Sequence, residues 1–229
     1  MYAIFATKAD TESFVLSKGH AAGGLYVVLD EVGKLSEEAP LSSFYQDGTK
    51  LAAHPVANLC SDVRFGLGSL GHGLPLASGI AYAKKLVGRH DRTFVLLSDG
   101  ETNEGTTWEA AHFSVSHELS KLIVVIDRNG LQGFGKTADV LGDTANPELW
   151  SAIGFDVYQL DGHNEQELRT FLDHTSKQPS QRPRVLIADT VKGSGVDFME
   201  NKLEWHYLPM TDDMYHDALR ALAEDAHEK

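Results

Sequence analysis

The sequence predicts a doubly wound α/β domain, built on a mainly parallel sheet with helices on both faces. Three observations lead there. Two short apolar runs, residues 93–97 (TFVLL) and 122–126 (LIVVI), have the length and continuous hydrophobicity of strands buried on both faces. Between them residues 106–119 read as a helix, because Trp108, Ala111, Val115 and Leu119 recur at three- and four-residue intervals. A second pair of strands, 155–160 and 185–191, flanks another helical stretch at about 165–175. Strand–helix–strand units of this spacing are the crossovers that parallel neighbours need.

The remaining elements follow in order. Residues 74–86 form an alanine-rich helix directly after a glycine-rich loop, and the acidic tail at about 210–229 reads as a peripheral helix. No internal repeat, low-complexity tract or long Pro/Gly/Ser linker divides the chain, so residues 1–229 are read as one domain. Ligands in such sheets bind outside the carboxyl ends of the strands.

Composition excludes several function classes. A net charge of −13 opposes general nucleic-acid binding, since a phosphate backbone would be repelled over most of the surface. The single cysteine, Cys60, excludes an intrachain disulfide framework and a cysteine-rich zinc site, and fits a reducing cytoplasm. The opening MYAIFATKAD lacks the basic segment of a signal peptide, and no apolar run is long enough to span a membrane. A cytoplasmic protein with no membrane or nucleic-acid partner is expected.

The chemistry concentrates at two strand ends. Strand TFVLL runs into Ser98-Asp99-Gly100-Glu101, and strand LIVVI into Asp127-Arg128-Asn129-Gly130-Leu131. Asp99 and Asn129 thus fall just past the ends of two strands expected to be neighbours. One carboxylate, one amide oxygen and a backbone carbonyl near Leu131 suit a hard cation such as Mg²⁺, which shares its octahedral oxygens with bound phosphates. Gly100 lets the backbone approach a diphosphate closely. Asp-Gly and Asn-Gly are also ordinary turn pairs, so spacing alone leaves the metal site and two simple turns both open.

A dinucleotide site is excluded. Gly66, Gly68 and Gly71 fit G-x-G-x-x-G ahead of a helix, with Asp91 beyond. That fold requires a strand before the first glycine and an acid at the end of the next strand. Residues 52–63 contain Pro55, Asn58 and Asp62, a poor strand, and Asp91 precedes strand TFVLL instead of following it.

SDGETNEGTTWEAA (98–111) and LIVVIDRNGLQGFG (122–135), with Asn129 thirty positions after Asp99, resemble the thiamine-diphosphate signature. More narrowly, they resemble the N-terminal half of transketolases, especially those made as two subunits. LSKGHAAGGLY (16–26), AAHP (52–55), GLGSLGHGLPLASGIAYA (66–83), DGHN (161–164) and VKGSGVDFMENKLEWHYLP (191–209) extend the likeness in collinear order.

The resemblance implies the diphosphate-binding domain of a thiamine enzyme, with thiamine diphosphate and Mg²⁺ as cofactors and Ca²⁺ or Mn²⁺ as substitutes for the metal. It assigns Asp99, Asn129 and the Leu131 carbonyl to the metal. His20, Gly68, Leu70, Asp99, Gly100, Glu101, Asn129 and His206 are assigned to the cofactor, and His20, His54 and His206 to catalysis. Glu104 matches an acidic residue at the family's dimer interface, His72 stands where many members carry glutamine, and Ser98 replaces the first glycine of G-D-G. Arg64 is a candidate phosphate-binding arginine.

The implied reaction moves a two-carbon ketol unit between sugar phosphates. The family's activating glutamate belongs to a pyrimidine-binding domain, so the resemblance implies a C-terminal partner subunit that supplies it, inactivity alone, and self-association. Only fifteen residues precede Leu16, a shorter lead-in than family members have, so the resemblance implies either a truncated or compact form or a site wall supplied from elsewhere. Two other readings stay open: a 1-deoxyxylulose-phosphate-synthase-like or oxoacid-decarboxylating component, and a non-catalytic binding protein that keeps the fold.

Overall fold

A computed structural model describes residues 1–35 and 40–228. In chain order the elements are α1 (Tyr2–Thr7), β1 (Ser13–Leu16), α2 (Ala22–Glu31), α3 (Pro40–Ser43), α4 (Gly73–Leu86), β2 (Thr93–Ser98) and α5 (Gly105–Ser116). There follow β3 (Leu122–Arg128), the short strands β4 (Leu131–Gln132) and β5 (Gly135–Lys136), α6 (Thr137–Leu141), α7 (Pro147–Ile153) and β6 (Asp156–Asp161). The chain closes with α8 (Glu165–Lys177), β7 (Arg184–Asp189) and α9 (Asp212–Glu228).

Five strands make one sheet in the order β1-β2-β3-β7-β6, and every pairing is parallel. The centre is β2 and β3, whose apolar residues are buried throughout. Alternate side chains feed two cores. On one face Val95, Leu97, Val124 and Ile126 pack with Leu74, Ala77, Ala111 and Trp150 from α4, α5 and α7. On the other, Phe94, Leu96, Ile123 and Val125 pack with Ile4, Leu25, Leu29 and Phe171 from α1, α2 and α8. The return from the edge strand β6 to β7 carries α8 to the second face, as right-handed crossovers require. The doubly wound parallel sheet expected from the sequence is the observed fold.

Small residues set the spacing of α4 against α5. Ser78 and Ser114, both buried, share a hydrogen bond at 2.8 Å. At the start of α4, a Cβ on Gly73 would lie 2.1 Å from Ser17 Oγ, so glycine there lets the helix press on the turn after β1.

One strand and two boundaries stand apart from the sequence-based expectation. Strand β1 is an edge strand of only four residues, SFVL, too short to announce itself, and its last residue falls in the LSKGH motif. Helix α5 ends at Ser116, short of the expected residue 119, because Glu118 adopts a left-handed conformation (φ 46°). Leu119 N–H then donates to Ser114 O (3.0 Å) and Glu118 N–H to Val115 O (2.9 Å), a Schellman stop that still turns Leu119 into the core. Strand β7 ends at Asp189, leaving Thr190 and Val191 to the loop that enters the site. Among the described residues, no helix is long and apolar enough to cross a membrane.

Candidate active site

The site is built at the carboxyl ends of β1, β2, β3 and β7. Chain leaving β2 turns at once into a short 3-10 turn, Gly100–Asn103, and Asp99 caps it by accepting from Gly100 N–H (2.9 Å). The other carboxylate oxygen of Asp99 accepts from Gly130 N–H (2.8 Å) and Thr137 Oγ (3.0 Å). Asp99 is 1% exposed and thereby pins the loop that follows the neighbouring strand. Burial pushes its pKa up, against the pull of these three hydrogen bonds. Asn129 Oδ1 accepts from Leu131 N–H (3.0 Å), an Asx turn that leads into the β4–β5 hairpin.

These residues fit a divalent cation that shares its ligands with a phosphate. Asp99 is a buried carboxylate whose hydrogen-bond donors are all neutral, so a cation beside it would offset the cost of its charge. Among the described residues no group of three or more His, Cys, Asp or Glu is placed to hold a metal. A donor set of one carboxylate, one amide and one carbonyl is therefore incomplete without ligand oxygens, which is the way Mg²⁺ is commonly held. The cradle is close-packed: a Cβ on Gly100 would meet Gln132 Oε1 at 2.7 Å.

Glu101, one residue on from Gly100, turns inward and is fully buried. Its Oε1 accepts from Ser17 Oγ and from Gly71 N–H (2.8 Å), tying the turn after β1, the glycine loop and the end of β2 together. Burial raises its pKa, with these donors opposing. Its carboxylate is directed at the protein, and only its backbone is left for a ligand.

The three expected histidines come together from distant segments. His20 lies in the 3-10 turn Gly19–Ala21 and His206 in the 3-10 turn Leu203–His206, with ring centroids 5.6 Å apart. The His54 ring lies against Gly19 and Gly68, where an added Cβ would meet its Cδ2 at 3.2 and 3.4 Å. At Gly19 the same Cβ would also strike Leu67 O at 1.8 Å, so only glycine lets the turn touch the glycine loop. His20 keeps an exposed edge, yet burial of its ring, then the charges of Lys18, His206, Lys192 and His54, lower its pKa to about 4. Burial and the same two lysines lower that of His206. Both imidazoles are neutral at pH 7 and can donate and accept one hydrogen bond each.

The other expected residues fall as follows. Leu70 is half-buried in the glycine loop. His72 is exposed and precedes α4 without a side-chain cap. Glu104 is exposed at the start of α5, its Cβ against Gly71, where the positive φ (80°) and a 2.6 Å approach both demand glycine. Arg64 is exposed and donates to Ser61 O (3.3 Å), not to any residue of the histidine cluster.

Sequence reasoning passed over a charged corner beside these residues. Lys18 Nζ pairs with Asp127 Oδ2 at 2.5 Å, and Thr190 Oγ donates to the other oxygen at 2.5 Å. Burial would raise Asp127, but Lys18 and Thr190 hold it below the usual carboxylate range. Lys192 stands nearby with its pKa lowered, by burial first and then by Lys18. Lys18 and Lys192 lie inside the LSKGH and VKGSG motifs, which is the signal that could have found them. They place two cations at the strand ends of an acidic chain, beside the carboxylates of Asp127 and Asp99.

Glycine turns, a buried oxygen-ligand corner and two lysines meet at the carboxyl ends of this parallel sheet, the place where doubly wound α/β domains bind their ligands. Residues 6–229 match the family model described as transketolase, thiamine diphosphate binding domain. The chain belongs to the transketolase family and corresponds to that domain. It is 38% identical over 198 residues to a subunit of apulose-4-phosphate transketolase from Actinobacillus succinogenes, covering 86% of this chain and 71% of the relative. It is 31% identical over 216 residues to a 6-deoxy-6-sulfo-D-fructose transketolase subunit of a Clostridium species, covering 94% and 78%. The crystal structure of transketolase from Campylobacter jejuni superposes with a TM-score of 0.81 at 26% identity, covering 94% of this chain and 35% of that one.

Proposed function

We propose that this chain, read as one diphosphate-binding domain over residues 1–229, is the N-terminal subunit of a Mg²⁺-dependent two-subunit transketolase. It moves a two-carbon ketol unit between anionic sugars of the sugar-phosphate class. The observation that carries the reading is the buried Asp99 carboxylate, which clamps the Asn129–Leu131 turn beside the Gly100 cradle. Two relatives named as subunits of sugar transketolases support it.

In this reading Asp99, Asn129 and the Leu131 carbonyl hold the metal. Gly68, Leu70, Gly100 and the backbone at Glu101 line the cofactor, and Lys18 and Lys192 offset diphosphate charge. Thiamine diphosphate, when bound, supplies the carbanion-stabilising chemistry of ketol transfer. His20, His54 and His206 bind the hydroxyls of the sugar donor, and as neutral imidazoles His20 and His206 each offer one hydrogen-bond donor and one acceptor to those hydroxyls at pH 7. The histidine cluster opens to solvent beside them, where a C-terminal subunit would bring the activating glutamate and exclude water. Self-association of the pair through the region of Glu104, and a cytoplasmic setting consistent with the lone Cys60, complete the reading.

The test is reconstitution. With thiamine diphosphate, Mg²⁺, a ketose-phosphate donor and an aldose-phosphate acceptor, the chain alone should give no transfer, and adding a C-terminal transketolase subunit should restore it. Full activity of the chain alone would refute the two-subunit reading.

A further inference from the structure

We propose that Tyr207 is a positioning residue that clasps the β4–β5 hairpin to the turn carrying His206, and so holds that imidazole at the rim of the site. The Tyr207 hydroxyl donates to Gly133 O at 2.9 Å. Gly133 lies in the hairpin link between Leu131–Gln132 and Gly135–Lys136. A Cβ at Gly133 would sit 2.1 Å from the Tyr207 hydroxyl and 3.6 Å from His206 Cδ2. The space a side chain at 133 would fill is thus taken by the phenol, with the imidazole directly behind it.

The ring contacts run on from there. Tyr207 and His206 meet edge to face, with centroids 4.8 Å apart and planes at 70°, and His206 in turn faces His20. Tyr207 is 67% exposed, so burial does not account for its placement. Its hydroxyl bond and its contact with His206 do. A continuous path therefore joins Leu131, at the start of the hairpin, through Gly133 and Tyr207 to His206 and His20. The pair at 133 and 207 also sets how much room a substrate has beside His206. This use of the clasp rests on the proposed role of His206 in the site, while its existence does not.

The test is NMR on the purified chain at fixed pH, following the His206 ring signals and the cross-peak between the Tyr207 ring and Gly133. Gly133→Ala should abolish that cross-peak and shift the His206 signals. Tyr207→Ala should shift the same signals, and adding Gly133→Ala to it should cause a smaller change than Gly133→Ala causes alone, because the phenol it would strike is gone and only the 3.6 Å contact with His206 Cδ2 remains. Tyr207→Phe, which removes one oxygen and keeps the ring, should move the signals in the same direction by a smaller amount. His206 signals unchanged in Gly133→Ala and in Tyr207→Phe, or effects of Gly133→Ala and Tyr207→Ala that simply add, would overturn the proposal. The readout needs no cofactor, so a failure of the thiamine reading would leave it standing.

Discussion

Ser17, just past β1, donates its hydroxyl to Glu101, just past β2, so that one buried carboxylate fixes the two loops that frame the candidate site. The same oxygen takes Gly71 N–H, bringing in the glycine loop. Glu101→Ala leaves these two buried donors unpaired and should cost about 2–4 kcal/mol. Glu101→Gln keeps an acceptor for both but turns an amide NH2 toward Ser98 N–H, the donor to the other oxygen (3.4 Å), so it should cost less than the alanine variant, about 1 kcal/mol. Urea denaturation of the two variants separates these outcomes, and equal losses would rule out Glu101 as the buried tie.

The lysines of the charged corner should part company in the same assay. Lys18→Met strands Asp127, and about 3 kcal/mol of stability should go with the broken pair. Lys192 has no carboxylate of its own within ion-pair distance among the described residues, so Lys192→Met should leave stability nearly unchanged and weaken thiamine diphosphate binding. A Lys192→Met chain that binds the cofactor normally would remove that lysine from the site.

Acid should weaken the fold partly through His20. Its pKa is lowered from 6.5 to about 4 in the folded chain, so the unfolded chain takes up the proton first as pH falls. The stability it contributes is present above pH 6.5 and is lost as pH falls toward 4. His20→Asn should flatten the decline in unfolding free energy over that window, and an unchanged slope would show that the ring is not held neutral.

Much of this fold was legible because β2 and β3 are continuous apolar runs, and the placement of Asp99 and Asn129 at adjacent strand ends follows from them. Leu119 misled the helix boundary for a physical reason: it keeps the apolar period of α5 while the backbone has already turned at Glu118. Lys18 and Asp127 pair across 109 positions, and no local pattern marks such a contact. The inward turn of Glu101 is equally invisible, since it depends on where Ser17 and Gly71 come to rest.

The stop of α5 can be tested on its own. Glu118 holds a left-handed conformation that costs an L residue about 1–2 kcal/mol, partly offset in glycine by backbone entropy. Glu118→Gly should therefore stabilise the chain by about 0.5–1 kcal/mol in thermal or urea melts. At the neighbouring helix contact, Ser78→Val should do the reverse by about 1–3 kcal/mol, because α4 and α5 meet there through two serines.

Whether Asp99 organises a metal-dependent diphosphate site is decided by calorimetric titration of thiamine diphosphate into the purified chain. The titration would be run with Mg²⁺, with EDTA, and with Mg²⁺ on Asp99→Ala. Binding is expected in the first case only, with the variant's circular dichroism unchanged. Undiminished binding in EDTA, or normal affinity in Asp99→Ala, would refute the metal assignment.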